Sequence, residues 1–252
     1  MRTYATAQNV GTDPGQADAT AVSTAPSGAR AYVLLDGIGR SDDVRDWARA
    51  AARRLARAAA RRGDAEAGLR AVYDAYSAER ADADPWGPRQ PKAAAVVAVT
   101  APGRPLTVAW CGDSRAYVIA RGTARQLTND HNLRRVYPPT DWHDGGNRNV
   151  ITSSLGSRGS DQDVKNHYGH PAIEAVTRPA EDCRLVLASD GAYEPHEDTG
   201  HPLADELVGD PREAARHFVD SAVRRATAAT RAVDPSRTYA DNATALIADI
   251  RP

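Results

Sequence analysis

Short apolar runs that stop or start at an aspartate beside a small residue recur through this chain, and they constrain its fold more than any other feature. They appear in Leu34-Leu35-Asp36-Gly37, in Trp110-Cys111-Gly112-Asp113-Ser114 and in Leu187-Ala188-Ser189-Asp190-Gly191, while Ala240-Asp241-Asn242 opens a further run. The runs themselves are Tyr32 to Leu35, Ala94 to Thr100, Leu106 to Cys111, Ala116 to Ala120, Leu185 to Ala188 and Ala243 to Ile250. Their shortness, their Val, Ile and Leu content and the flanking turn residues predict strands.

Two helical stretches lie between the first two strands. Val44, Trp47, Ala48, Ala51, Leu55 and Ala58 recur at three- and four-residue steps, with Ser41 or Asp42 able to cap the start and Gly63 the end. A second helix is predicted from about Ala65 to Arg80, with Leu69, Val72, Tyr73 and Tyr76 on its apolar stripe. Near the end, Asp210, Pro211 and Glu213 form a helix start, followed by the stripe Ala215, Phe218, Val219, Ala222 and Ala226. Strands and helices that segregate in this way predict an α+β fold with a largely antiparallel sheet. No linker divides the sequence into two complete patterns, so residues 1–252 are expected to form one domain. The least regular part, 132–179, is too long for an ordinary connection and is expected to carry function or motion.

Charge and hydropathy exclude several classes. Thirty-two basic against thirty-three acidic residues leave a formal charge of −1, so no bulk attraction to nucleic acid or to an anionic membrane is expected. The longest apolar run, Ala93 to Ala101, falls far short of the ~20 residues that span a bilayer. Met1 to Asn9 hold one basic residue and no apolar block of signal-peptide length, which makes the cytoplasm the expected compartment. Cys111 and Cys183 lie in predicted strands and are expected to be buried, reduced thiols. Only Lys92 and Lys165 are lysines among the basic residues, a bias that points to a GC-rich bacterial source.

Any single Asp-Gly or Asp-Asn pair is ordinary turn chemistry. The recurrence is what matters, because carboxylates at several strand ends can converge on one edge of a sheet sandwich, where their repulsion calls for a cation. Oxygen donors without His or Cys select Mg²⁺ or Mn²⁺, and a neighbouring glycine lets a backbone carbonyl approach the ion. Two such ions about 4 Å apart would lower the pKa of a shared water and present it to phosphorus.

The ordered set Asp36-Gly37-x-Gly39, Gly112-Asp113-Ser114-Arg115-Ala116, Leu127-Thr128-Asn129-Asp130-His131, Ser154-Leu155-Gly156, Ser189-Asp190-Gly191 and Asp241-Asn242-Ala243-Thr244 resembles the metal-dependent protein serine/threonine phosphatases of type 2C, the PPM family. The resemblance implies a four-layer αββα sandwich, phosphoprotein substrates and a two-metal site at one end of the sheets. It makes Asp36 the carboxylate bridging both ions, Gly37 a carbonyl donor, and Asp190 and Asp241 the remaining direct ligands. Asp18 would support metal-bound waters, and Asp113 and Glu194, with Asp190, would hold a third ion. Residues 132–179 would be the flap beside the site.

Departures from the family pattern open an alternative. No basic residue stands in Thr12-Asp13-Pro14-Gly15, where the family keeps a phosphate-gripping cation, and Arg2, Arg30 and Arg40 are the substitutes considered. Ile38 replaces a His or Met, Arg40 a Gly, Ser153 an Arg and Glu194 an Asp. A weakly active or inactive binding and regulatory module on the same fold is therefore the rival to a phosphatase, and a phosphohydrolase of small metabolites is a third reading. Of the histidines, only His131 lies in a shared motif; His143, His167, His170, His196, His201 and His217 are expected in solvated loops. Trp47 is expected in the core, Trp110 on a strand against the sheet, and Trp86 and Trp142 in loops. The series Arg49, Arg53, Arg54, Arg57, Arg61 and Arg62 is expected to form a solvated helix face.

Overall fold

The computed structural model describes residues 3–81 and 90–251. Trp86 and Arg2 lie outside these. Strands β1 (Tyr4–Asn9), β2 (Ala19–Thr24) and β3 (Arg30–Gly37) precede helices α1 (Asp42–Arg62) and α2 (Ala65–Ala81). Then come β4 (Ala93–Thr100), β5 (Leu106–Cys111), β6 (Arg115–Ala120), β7 (Thr123–Gln126), α3 (Leu133–Val136), α4 (Asp161–Tyr168) and β8 (Glu174–Arg178). The chain continues through β9 (Cys183–Ala188), α5 (Asp190–Asp198), α6 (Leu203–Glu206), α7 (Pro211–Val233) and β10 (Ala243–Ile250).

The strands form two five-stranded sheets, ordered β1-β10-β9-β6-β7 and β2-β3-β4-β5-β8, with every ladder antiparallel. Because side chains alternate across a strand, each sheet has two apolar faces to cover. Tyr32, Leu34, Val96, Ala98 and Trp110 from one sheet meet Val118, Leu185, Leu187 and Leu246 from the other in a shared interior. On the outer faces, Val33, Leu35, Ala95 and Val97 pack under α1 and α2, while Val186, Ala188, Ala245 and Ile247 pack under α5 and α7. The result is the expected four-layer αββα sandwich.

The long helices begin and end where their sequence signals lie. Ser41 accepts the Val44 N–H to cap α1, and Gly63 closes it at φ 62°. Asp210 accepts from Arg212 and Glu213 ahead of Pro211 in α7. Along α1, Arg49, Arg53, Arg57, Arg61 and Arg62 face solvent as expected, and Arg54 pairs with Glu79 over the Tyr76 ring. Trp47 packs partly buried beside Tyr76, Trp110 is buried on β5, and Trp142 is exposed.

Three histidine and thiol expectations need correction. His170 and His196 are buried, not solvated: His170 stacks on His131, and His196 sits in α5 against Phe218. Each buried ring finds a partner, His170 the Thr152 hydroxyl and His196, on the inner face of α5, the Phe218 carbonyl. Cys111 is a buried free thiol, but Cys183, the first residue of β9, is only half-buried. No helix among the described residues is long and apolar enough to cross a membrane.

Candidate active site

One end of the sandwich gathers the acidic residues, because it is where β3, β5 and β9 finish and β2, β6 and β10 begin. Asp18 precedes β2 by one residue, and the register Ala19↔Leu35 sets it beside Asp36 at the end of β3. Asp113 lies in the turn between β5 and β6, Asp190 follows β9, and Asp241 precedes β10. Asp18, Asp36, Gly37, Asp113, Asp190 and Asp241 all line one pocket of about 230 Å³, with Asp13, Ile38, Arg40, Asn149 and Tyr239 at the same opening. Glu194 does not share this lining; it faces an adjoining pocket that also touches Asp190 and Asp241, and it is held by Arg148 at 3.1 Å.

The residues between the acids build the frame. Ser189 donates its hydroxyl to the Asp18 carboxylate at 3.0 Å and accepts the Thr244 N–H at 3.0 Å. Asn242 accepts the Ala17 N–H at 2.6 Å and donates to the Val10 carbonyl at 2.9 Å. These buried side chains tie the segment before β2 to both β9 and β10. Asp190 takes the first helical position of α5, accepts the Gly191 N–H at 2.6 Å, and gains from the positive end of the helix dipole. Asp241 accepts from the Asn242 N–H at 2.8 Å and the Tyr239 hydroxyl at 3.0 Å.

Asp113 is positioned from behind. Tyr193 donates its hydroxyl to the Asp113 carbonyl at 3.0 Å, and the Arg115 guanidinium lies 3.9 Å over the Tyr193 ring while gripping Asp130. His131, fully buried, donates its backbone N–H to the Gly112 carbonyl at 2.9 Å. Its ring shares a hydrogen bond with Glu174 at 3.0 Å. Sequence reading marked Arg115 and His131 as motif members but gave them no part; Glu174, Tyr193, Asn242 and Thr244 had no signal beyond their motifs or their neighbours.

Gathering these carboxyls raises their proton affinity. Burial first, then Asp18, Asp190, Asp113 and Asp241 nearby, hold Asp36 well above the usual carboxylate range. Asp113 is pushed up by burial and by Asp190 and Asp130. Burial lifts Asp18 to about 8 despite the Thr244 and Ser189 hydroxyls. Asp190 is raised by burial and by Asp241, against a hydrogen bond with Asp36. Glu194 rises to about 7, mainly by burial and then by Asp190. Only one Lys or Arg, Arg40, lines the pocket among the described residues. Full ionisation of such a group needs more positive charge than the chain supplies.

A hard divalent cation fits that need: the donors are carboxylate oxygens and the Gly37 carbonyl, with no His or Cys in the lining. Among the described residues, no three His, Cys, Asp or Glu side chains are arranged to cage an ion by themselves.

Fold and pocket together define a two-sheet αββα sandwich with an acidic, oxygen-lined cleft at one end. The family model of protein phosphatase 2C matches residues 30–136. A probable protein phosphatase 2C 8 from Oryza sativa subsp. japonica is 32% identical over 170 residues, covering 64% of this chain and 39% of the rice protein. A probable protein phosphatase 2C 17 from Arabidopsis thaliana is 31% identical over 151 residues, covering 52% of this chain and 50% of its own. The chain thus spans half or less of the curated relatives it matches. Among solved structures, an S. agalactiae serine/threonine phosphatase superposes with a TM-score of 0.73 at 16% identity, over 98% of this chain and 99% of that one. The PPM Ser-Thr phosphatase MsPP from Mycobacterium smegmatis, in complex with cacodylate, gives 0.67 at 24% identity, over 98% and 97%. The chain is thus similar to protein phosphatase 2C over residues 30–136 and shares the fold of solved PPM-type serine/threonine phosphatases over nearly its whole length.

Proposed function

We propose that this chain hydrolyses phosphoserine and phosphothreonine esters of phosphoproteins, with Mg²⁺ or Mn²⁺ ions held by the acidic cleft. The observation that carries the reading is the convergence of six aspartates and the Gly37 backbone on one pocket in a chain similar to protein phosphatase 2C. When bound, two such ions supply a water acidified for attack on phosphorus and offset the charge that develops on the phosphoryl oxygens. Asp36, Gly37, Asp190 and Asp241 are the residues that would hold them. Asp18, fixed by Ser189, faces the same space as a hydrogen-bond acceptor for water. Asp113, Asp190 and Glu194 would serve a third, weaker ion, and Arg148 beside Glu194 is the competing charge there.

Ile38 has no proton to give and no histidine lines the pocket, which leaves water, with the Tyr239 hydroxyl at the same opening, to protonate the leaving alkoxide. The two unpaired thiols support a reducing, cytoplasmic setting. Asp36→Asn and Asp190→Asn are each expected to lower Mn²⁺-dependent hydrolysis of p-nitrophenyl phosphate by about 10²-fold or more while leaving the circular dichroism spectrum unchanged. Full activity in both variants would remove the mechanism. The rival, a silent binding module, is favoured by the missing cation in Thr12 to Gly15; clear turnover of a phosphopeptide by the unmutated protein excludes it.

A further inference from the structure

The family's customary basic residue is absent from the loop Thr12 to Gly15, and the loop carries an acid instead, Asp13. Asp13 is nearly buried, with a side chain 10% exposed, and it holds Nε of Arg40 at 2.9 Å. Arg40 comes from the other side of the pocket, two residues beyond Ile38, where Gly39 turns the backbone at φ 124°. Its own carbonyl is fixed by Arg45 Nη2 at 2.9 Å, and the Arg45 guanidinium packs close to Gly15, where a Cβ would come within 2.4 Å of Cζ. The loop is pinned on its far side as well: the Thr12 N–H donates to the Ala240 carbonyl at 2.9 Å. The acid and the arginine thus lock residues 12–15 to residues 38–40 at the mouth of the acidic cleft.

Of the three substitutes suggested by sequence, Arg30 lines a pocket at the opposite end of the sandwich and Arg2 lies outside the described residues. Arg148, on the neighbouring pocket, spends both terminal nitrogens on Asp198 at 2.8 and 2.6 Å and reaches Glu194 as well. Arg40 differs: its ion pair uses Nε, its side chain is 63% exposed, and it lines the same cavity as Asp36, Asp190 and Asp241. The Tyr239 hydroxyl, which donates to Asp241 and also hydrogen-bonds the Arg40 side chain, stands at that same opening, so a bound phosphoryl oxygen would share or displace that contact.

We propose that Arg40, tethered through Nε by Asp13, is the group that binds the phosphoryl oxygens of the substrate with its two terminal nitrogens, in place of the cation missing from Thr12 to Gly15. This rests on the reading of the cleft as a phosphoryl site. A guanidinium suits the task because its planar fork offers two parallel donors to a phosphate while a third N–H is anchored elsewhere.

The test uses the full chain loaded with Mg²⁺. Orthophosphate binding is measured by calorimetry and as competitive inhibition of p-nitrophenyl phosphate hydrolysis, for the unmutated protein, Arg40→Ala, Arg40→Lys and the distant control Arg30→Ala. Arg40→Ala is expected to weaken phosphate binding and raise KM by at least about tenfold, the loss of one charged hydrogen-bonded pair. Arg40→Lys, which keeps charge without the fork, falls between, and Arg30→Ala matches the unmutated protein. Phosphate affinity within twofold of the unmutated protein in Arg40→Ala overturns the inference, as does an unmutated protein that binds no phosphate. Phosphate binding that depends on Arg40 in a protein without turnover supports the inference and overturns hydrolysis instead.

Discussion

Asp36 shares its pocket with five other aspartates and a single arginine, so at neutral pH the metal-free chain keeps several of these carboxyls protonated at a cost. A carboxyl with a higher pKa in the folded chain than in the unfolded one binds its proton more tightly when folded. Its contribution to stability is complete below about pH 4 and is lost as pH rises through the folded value. Asp18 at about 8 and Glu194 at about 7 therefore place the loss between about pH 4 and pH 8. Melting temperatures of metal-free protein should fall across that window, and the rise produced by saturating Mn²⁺ should be larger at pH 8 than at pH 5. A Mn²⁺ effect equal at both values would show that the carboxyls are not what the ion neutralises. The acids were legible in the sequence because each ends a recognisable apolar run. Ser189, Asn242 and His131 were not given their roles, because a hydroxyl, amide or imidazole reveals its partner only when distant strands are brought together.

Strand ends meet closely where β9 enters α5 beside the start of β10. A Cβ on Gly191 would lie 2.2 Å from the Asn242 carbonyl oxygen, so only a glycine lets the Asp190 and Asp241 segments approach. Gly191→Ala is expected to separate them, destabilising the chain by about 1–3 kcal/mol through overpacking and weakening metal binding measured by Mn²⁺ titration. Unchanged Mn²⁺ affinity with lowered stability would mean the contact serves folding alone. The helices α1, α2 and α7 were legible through caps and stripes, and so were the six central strands. The outer strands β1, β2 and β8 escaped: their residues are half-buried, small or polar, as in Tyr4–Asn9 and Glu174–Arg178, so no apolar run marks them. β7 is only four residues long. Helix α5 was hidden because Ser189-Asp190-Gly191 has the chemistry of a turn, and Pro195 interrupts the helical pattern.

At the scale of the molecule, the two sheets hold the acids only if they stay in register with each other, since Asp36 belongs to one sheet and Asp190 and Asp241 adjoin the other. That register rests on the shared interior, where Leu246 of β10 and Leu187 of β9 lie with Leu34 of β3 and Val96 of β4, all fully buried. Side chains there touch both sheets, so neither sheet can open without uncovering apolar surface on the other. Leu246→Ala is expected to cost about 2–5 kcal/mol, as for a buried leucine that leaves a cavity. It should also speed native-state hydrogen exchange in β3 and β4 as much as in β9 and β10, because the opening that exposes one sheet exposes both. Exchange that quickens in β9 and β10 alone would show two units that unfold separately. The acidic cleft would then depend on a docking step between them, and Mn²⁺, if held as proposed by Asp36, Asp190 and Asp241, would slow exchange only by holding the halves together.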